Sequence, residues 1–199
     1  MSEWKSAGTG LLRAGVPAWI RIPRALRLGG GWAALWVTWL AVVQARDVGI
    51  VFLLSILLLV WMADVAAYFA GKGYGGRFSR VKLAPSISPG KSWEGAWGGL
   101  LGVLLLAAVW LVLETQGVLA RPSLYGRLWA QGGPLLLLVA TVFLTAMSVV
   151  GDLVESLVKR SAGRKDSSGL LPGHGGVLDR VDALLPTLPL AMMLYRLCA

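Results

Sequence analysis

Cysteine and histidine are almost absent from this 199-residue chain, with Cys198 and His174 as the single representatives. One thiol cannot close an internal disulfide, and one imidazole without Cys or His companions makes a poor zinc or iron–sulfur site. Thiolate-metal and redox chemistry are set aside. Charge is sparse as well: only 15% of residues are charged, and the ten acids are outnumbered by nineteen bases. A secretory signal is not read at the start, where the residues are polar and interspersed with glycine. No internal repeat is evident, which disfavours a transporter built from paired halves.

What the chain has instead is apolar length. Hydrophobic residues make up 56% of it and the mean hydropathy is +0.69. Five runs read as bilayer segments: Trp32–Ala45, Val48–Gly71, Trp97–Leu113, Pro134 to about Val158, and Ala183–Cys198. The expected class is all-α, a polytopic integral membrane protein with about five transmembrane helices. The first and last runs are short for a hydrocarbon core of roughly 30 Å. Ahead of them, Pro17–Leu28 mixes Arg with Trp, Ile and Leu and reads as a surface-lying segment. This divides the chain into a basic interfacial arm, 1–31, and a transmembrane domain, 32–199, with polar loops at 72–96 and 159–182.

Alternating the loops between two sides places fifteen of the nineteen Lys and Arg with the N-terminus and the two long loops. Arg46, Arg121, Arg127 and Arg196 fall opposite. The positive-inside rule then makes both long loops cytoplasmic and the C-terminus external, in a multi-pass bacterial inner membrane. The net charge of +9 is read as headgroup contact and topology rather than nucleic-acid binding.

Seven of the ten acids, Asp64, Glu94, Asp152, Glu155, Asp166, Asp179 and Asp182, lie at the cytoplasmic helix ends or in the loops they bound. Asp152 closes a long apolar run, where an ionised group is expensive and faces a cavity or a partner. Asp152, Glu155, Ser156 and Lys159 follow spacings of three and four and share a helix face. Asp179 and Asp182 are three apart before the last run. Pairing with Lys159, Arg160 and Arg180 would account for some of these acids. The oxygen-rich, sulfur-free set as a whole suits a hard cation such as Mg²⁺, and flanking bases point to phosphate.

Between them, "LPGHGGVLDR" supplies Gly173, Gly175 and Gly176, which let backbone N–H groups approach an anion, although a tight connection also needs glycine for steric reasons. His174 remains open as a base, a phosphate donor or a spacer. In the other loop "GKS" at Gly90–Ser92 suggests a Walker A loop, but Pro85 stands where its first glycine belongs and no strand is expected before it. The alternative makes Ser88 an N-cap and Pro89 the first helical residue. Lys91 and Ser92 then sit in an anion-favouring first turn, with a Lys91–Glu94 pair.

Two stretches carry a resemblance. Residues 156–182 read S-x-x-K-R-x₄-K-D-x₅-P-G-H-G-G-x-x-D-R-x-D, thirteen specified positions in order, and residues 88–95 read "SPGKSWEG". Both resemble the phosphatidate cytidylyltransferases (CDP-diacylglycerol synthases), from about Val60 to the C-terminus. Members of that family are commonly longer, with further N-terminal helices. The resemblance implies that CTP and phosphatidic acid give CDP-diacylglycerol and pyrophosphate, with lipid phosphate attacking the CTP α-phosphorus. It implies Mg²⁺ on Asp152, Asp179 and Asp182, and charge clamping by Lys159, Arg160, Lys165 and Arg180. Ser88, Lys91, Ser92, Ser156, Gly173, His174, Gly175 and Gly176 are the implied substrate-binding set. It leaves room for a second cation and a homodimer. A CTP-dependent lipid-alcohol kinase and a silent scaffold or transporter are the competing readings.

Overall fold

The computed structural model describes residues 19, 21–79, 82–85, 87–119, 121–164, 166–168 and 176–197. In chain order the elements are α1 (Arg24–Val48), α2 (Ile50–Tyr74), β1 (Lys82–Ala84), β2 (Ser88–Ser92), α3 (Trp93–Thr115), α4 (Leu124–Ser161), α5 (Leu178–Val181) and α6 (Leu184–Leu197). The architecture is an all-α polytopic membrane bundle, in which α1 to α4 are each long and apolar enough to cross a bilayer. At 14 residues α6 spans about 21 Å, less than the roughly 30 Å hydrocarbon core.

Two expectations need correction. The first run is not short: α1 has 25 residues, about 37 Å, and begins at Arg24, so the boundary drawn at residue 31 falls inside a helix. Gly29, Gly30 and Gly31 do not interrupt it, because in an apolar surrounding the backbone must satisfy its own hydrogen bonds. Nor does Ser88 cap α3. Ser88–Ser92 is a strand paired antiparallel with β1, and Ser92 is the cap, its Oγ accepting from Gly95 N at 3.1 Å.

α2 and α3 form the tightest pair, because small residues line both surfaces. A Cβ added to Gly99 would lie 2.9 Å from Ala63 O, and one on Gly102 2.5 Å from Ala66 Cβ. Such contact is the main source of helix association in lipid, where burial of apolar surface adds little. α1 and α2 are separated by Gly49 alone, at φ 155 and ψ 148, a conformation open to glycine. In α4, Gly133 (φ 62) and Pro134 break the helical path, so the long straight span begins at Pro134 as its sequence suggests. Among the described residues, Leu124, Tyr125 and Leu128 before that break are buried against the bundle.

α6 enters the core through Leu184, Leu188, Ala191 and Met192. Pro189 has no N–H to offer Leu185 O, and Thr38 Oγ1 of α1 lies 3.0 Å from that carbonyl, sharing its one proton with Ala34 O at 2.7 Å. The polar residues at the N-terminal end of α6 are thereby fixed relative to α1 as well as α4.

Candidate active site

The last turns of α4 and the short segment before α6 meet at one end of the bundle. Gly151 makes the meeting possible: a Cβ there would stand 2.8 Å from Asp182 O, 2.9 Å from Pro186 Cγ and 3.0 Å from Ala183 Cα. With only hydrogen at that point, Asp182 reaches the next turn of α4. One carboxylate oxygen from each of Asp152, Glu155 and Asp182 lies within 4.8 Å of the others. Glu155 and Asp182 are 6% and 8% exposed, so two of the three acids have little water to disperse their charge.

Two lysines offset the crowding. Lys159 Nζ contacts Glu155 Oε2 at 2.5 Å and Asp179 Oδ1 at 2.7 Å. Lys91, carried by β2, pairs with Asp152. Ser156 Oγ donates to Asp152 Oδ1 at 3.3 Å. Burial, with Asp152 and Asp64 nearby, pushes the Asp182 carboxyl up to about 6 despite the N–H of Ala183, which favours its charged form. This carboxylate lacks an adequate counter-charge.

Asp179 has a different environment. Its Oδ2 accepts from Gly176 N at 2.7 Å and from Ser167 N and Oγ at 3.1 Å. Burial alone would raise this carboxyl, but its contacts with Glu155, Lys159, Gly176 and Ser167 hold it below the usual range. Asp179 thus ties Ser167 and Gly176 to Lys159 of α4. Four acids at this end therefore form a triad of Asp152, Glu155 and Asp182, with Asp179 beside it on Lys159.

On the other side of Asp152 a cavity of about 450 Å³ runs between α2, α3 and α4. Asp64, Lys91 and Asp152 line its polar part, and Ala63, Gly99 and Thr145 its deeper wall. The hairpin beside it is held by Lys82 Nζ donating to Pro89 O at 2.6 Å, and Arg160 Nε donates to Ile87 O at 3.4 Å. Glu94 does not pair with Lys91; its Oε1 accepts from Phe78 N (3.1 Å) and Ser79 N (2.7 Å), pinning the turn after α2.

Of the residues singled out in the sequence, Asp152, Ser156, Lys159, Asp179 and Asp182 converge here, joined by Lys91 from β2. Gly176 contributes through its N–H to Asp179. Ser92 caps α3 beside the cavity, Ser88 sits at the hairpin turn, and Arg160 faces the hairpin. Lys165, Gly173, His174 and Gly175, together with the Arg180 side chain, lie outside the described residues. Two participants were under-read: Glu155, whose helical spacing placed it on the Asp152 face, and Asp64, whose only signal was an acid inside an apolar run.

The site is thus an oxygen-only carboxylate triad with two lysines beside a cavity in an apolar, membrane-spanning helical bundle. The chain belongs to the cytidylyltransferase family, whose model matches residues 18–198. That match begins well ahead of Val60, where the motif resemblance starts. Among similar proteins, the phosphatidate cytidylyltransferase of Haemophilus influenzae is 46% identical over 147 residues, 74% of this chain and 46% of the relative. That of Pseudomonas aeruginosa is 44% identical over 165 residues, covering 82% and 55%. The Bacillus subtilis enzyme of the same name is 38% identical over 149 residues, covering 75% and 49%. The chain spans about half the length of the curated relatives it matches.

Proposed function

We propose that this protein transfers the cytidylyl group of CTP to phosphatidic acid, forming CDP-diacylglycerol and pyrophosphate at the cytoplasmic face of a bacterial inner membrane. The observation that carries this reading is the carboxylate triad with lysines on both flanks, set where an apolar cavity meets a polar loop. An oxygen phosphate nucleophile is already ionised, so the site needs no protein nucleophile. Its task is to bring two anions together and hold them in line.

The donor set fits a hard divalent cation: three carboxylates, no sulfur, and an elevated Asp182 pKa that a positive charge would reverse. Asp152, Glu155 and Asp182 would hold Mg²⁺, which when bound supplies charge neutralisation on phosphate oxygens. Asp179 keeps Lys159 oriented and holds Ser167 and Gly176 beside the site. Lys159 and Arg160 meet charge on the nucleotide side, while Lys91 faces the lipid phosphate. Lys165, Arg180 and His174, with Gly173, Gly175 and Gly176, are assigned to phosphate binding from the sequence motif alone.

Labelled CTP tests the reaction. With purified protein in detergent, α-phosphate label enters the lipid and γ-label leaves as pyrophosphate. Entry of γ-label into lipid would replace this reading with a lipid-alcohol kinase. For the topology, a cysteine at Arg77 in a Cys198→Ser background should resist an impermeant thiol reagent applied outside intact cells, and one at the exposed Val118 should react. The reverse pattern would separate the site from cytosolic CTP.

A further inference from the structure

Lys91 belongs to two environments at once. Its ammonium group pairs with Asp152, a member of the carboxylate triad, and its side chain also lines the cavity between α2, α3 and α4. Both partners keep partial access to water, 24% for the lysine side chain and 31% for the aspartate. The pair is therefore exchangeable rather than sealed. The strand beneath Lys91 is tied to β1 and through Lys82 to Pro89 O, leaving the flexible lysine stem as the moving part.

A cation held by Asp152, Glu155 and Asp182 would occupy the place where Lys91 now balances charge. Two positive groups cannot share Asp152 at close range without repulsion. Asp64, on the opposite wall, is the next carboxylate in the cavity but has no position in the triad. A displaced Lys91 would keep Asp64 as a carboxylate neighbour in a cavity whose deeper wall is formed by Ala63, Gly99 and Thr145, with donors left over for a further anion.

We propose that Lys91 is an exchanging counter-ion: it neutralises Asp152 while the triad lacks a cation, and turns into the cavity to take an anionic lipid phosphate monoester when a cation displaces it. This deepens the cytidylyl-transfer reading and rests on it for the identity of the lipid. It makes the two binding events cooperative through one side chain. Cation entry creates the lipid-phosphate site, and lipid phosphate in turn draws Lys91 away from Asp152.

Binding measurements on the purified chain in detergent, without nucleotide, test the exchange. Mn²⁺ affinity is read by electron paramagnetic resonance, and dioctanoyl phosphatidic acid affinity by calorimetry with and without Mn²⁺. Lys91→Met should bind Mn²⁺ about five- to tenfold more tightly than wild type, since it removes a competing charge. It should bind the lipid more weakly and lose most of the Mn²⁺-dependent gain. Asp152→Asn should do the opposite in the absence of Mn²⁺, holding the lipid more tightly than wild type because Lys91 is already free. That gain cannot arise from a folding defect.

Unchanged or weaker Mn²⁺ binding by Lys91→Met would overturn the proposal, as would an undiminished Mn²⁺ effect on lipid binding in that variant. Turnover is not part of these readouts. A wild-type protein that shows the exchange but makes no CDP-lipid would count against the transferase reading alone.

Discussion

The two ends of the bundle treat polar groups in opposite ways. At the end where α1 passes into α2, polar side chains serve helix-end backbone groups or pair one to one with another side chain. Ser123 Oγ accepts from Gly126 N at 3.2 Å, Glu114 Oε1 accepts from Ser123 N at 2.7 Å, and Ser55 Oγ accepts from Leu124 N at 3.0 Å. Arg127 stacks on Tyr195 at 4.9 Å, and Arg196 donates to Gln44 at 2.9 Å. At the other end three carboxylates are compressed into one place and two lysines bridge them to their surroundings. The first arrangement completes helix ends, as stability requires. The second concentrates like charge, which folding disfavours and a positively charged ligand would relieve.

Substitutions at each end should separate these roles. The largest effect is expected from Asp152→Asn, which should retain folding and membrane insertion but lower CDP-diacylglycerol formation by about a hundredfold or more. Near-normal turnover in a detergent assay would remove Asp152 from the site. Gly151→Ala should come next. Its methyl group forces Asp182 and Pro186 away from α4, with a loss of roughly 1–3 kcal/mol and a clear fall in activity. Thermal unfolding and turnover of the same preparation check both, and an unaffected Asp182-dependent activity would contradict the close approach.

At the opposite end Ser123→Ala removes a helix cap and should lower stability by about 1 kcal/mol, with kcat unchanged below the unfolding range. A specific catalytic defect there would erase the distinction between the ends. The smallest effect is assigned to Arg196→Ala. Its exposed hydrogen bond to Gln44 should contribute only a few tenths of a kcal/mol, so the melting temperature should barely move.

The contrast also explains what could be read before the structure. Long apolar runs located α2, α3 and the straight part of α4, because in a bilayer length and hydropathy nearly determine a helix. Arg24, Arg27 and the triple glycine hid the start of α1, since residues that end helices in water do not do so in an apolar phase. The cap of α3 was misplaced by four residues. Ser88–Pro89 and Ser92–Trp93 both look like helix starts, and only pairing with Lys82–Ala84 decides between them. At the site, spacings of four and three put Asp152, Ser156 and Lys159 on one face of α4. The place of Glu155 beside Asp182, and of Asp179 on Lys159, depends on how α5 and α6 approach Gly151, a distance that spacing along one helix does not contain.

The single-residue link at Gly49 bears on how the chain enters its membrane. With nothing else between Val48 and Ile50, α1 and α2 have no loop that could emerge and wait on the far side. That geometry favours insertion as one helical hairpin, with the charged residues Arg46 and Asp47 at its tip. Assembly of this half of the bundle is then a single event. A polar insertion at Gly49 would turn one insertion step into two, without altering any residue of the site.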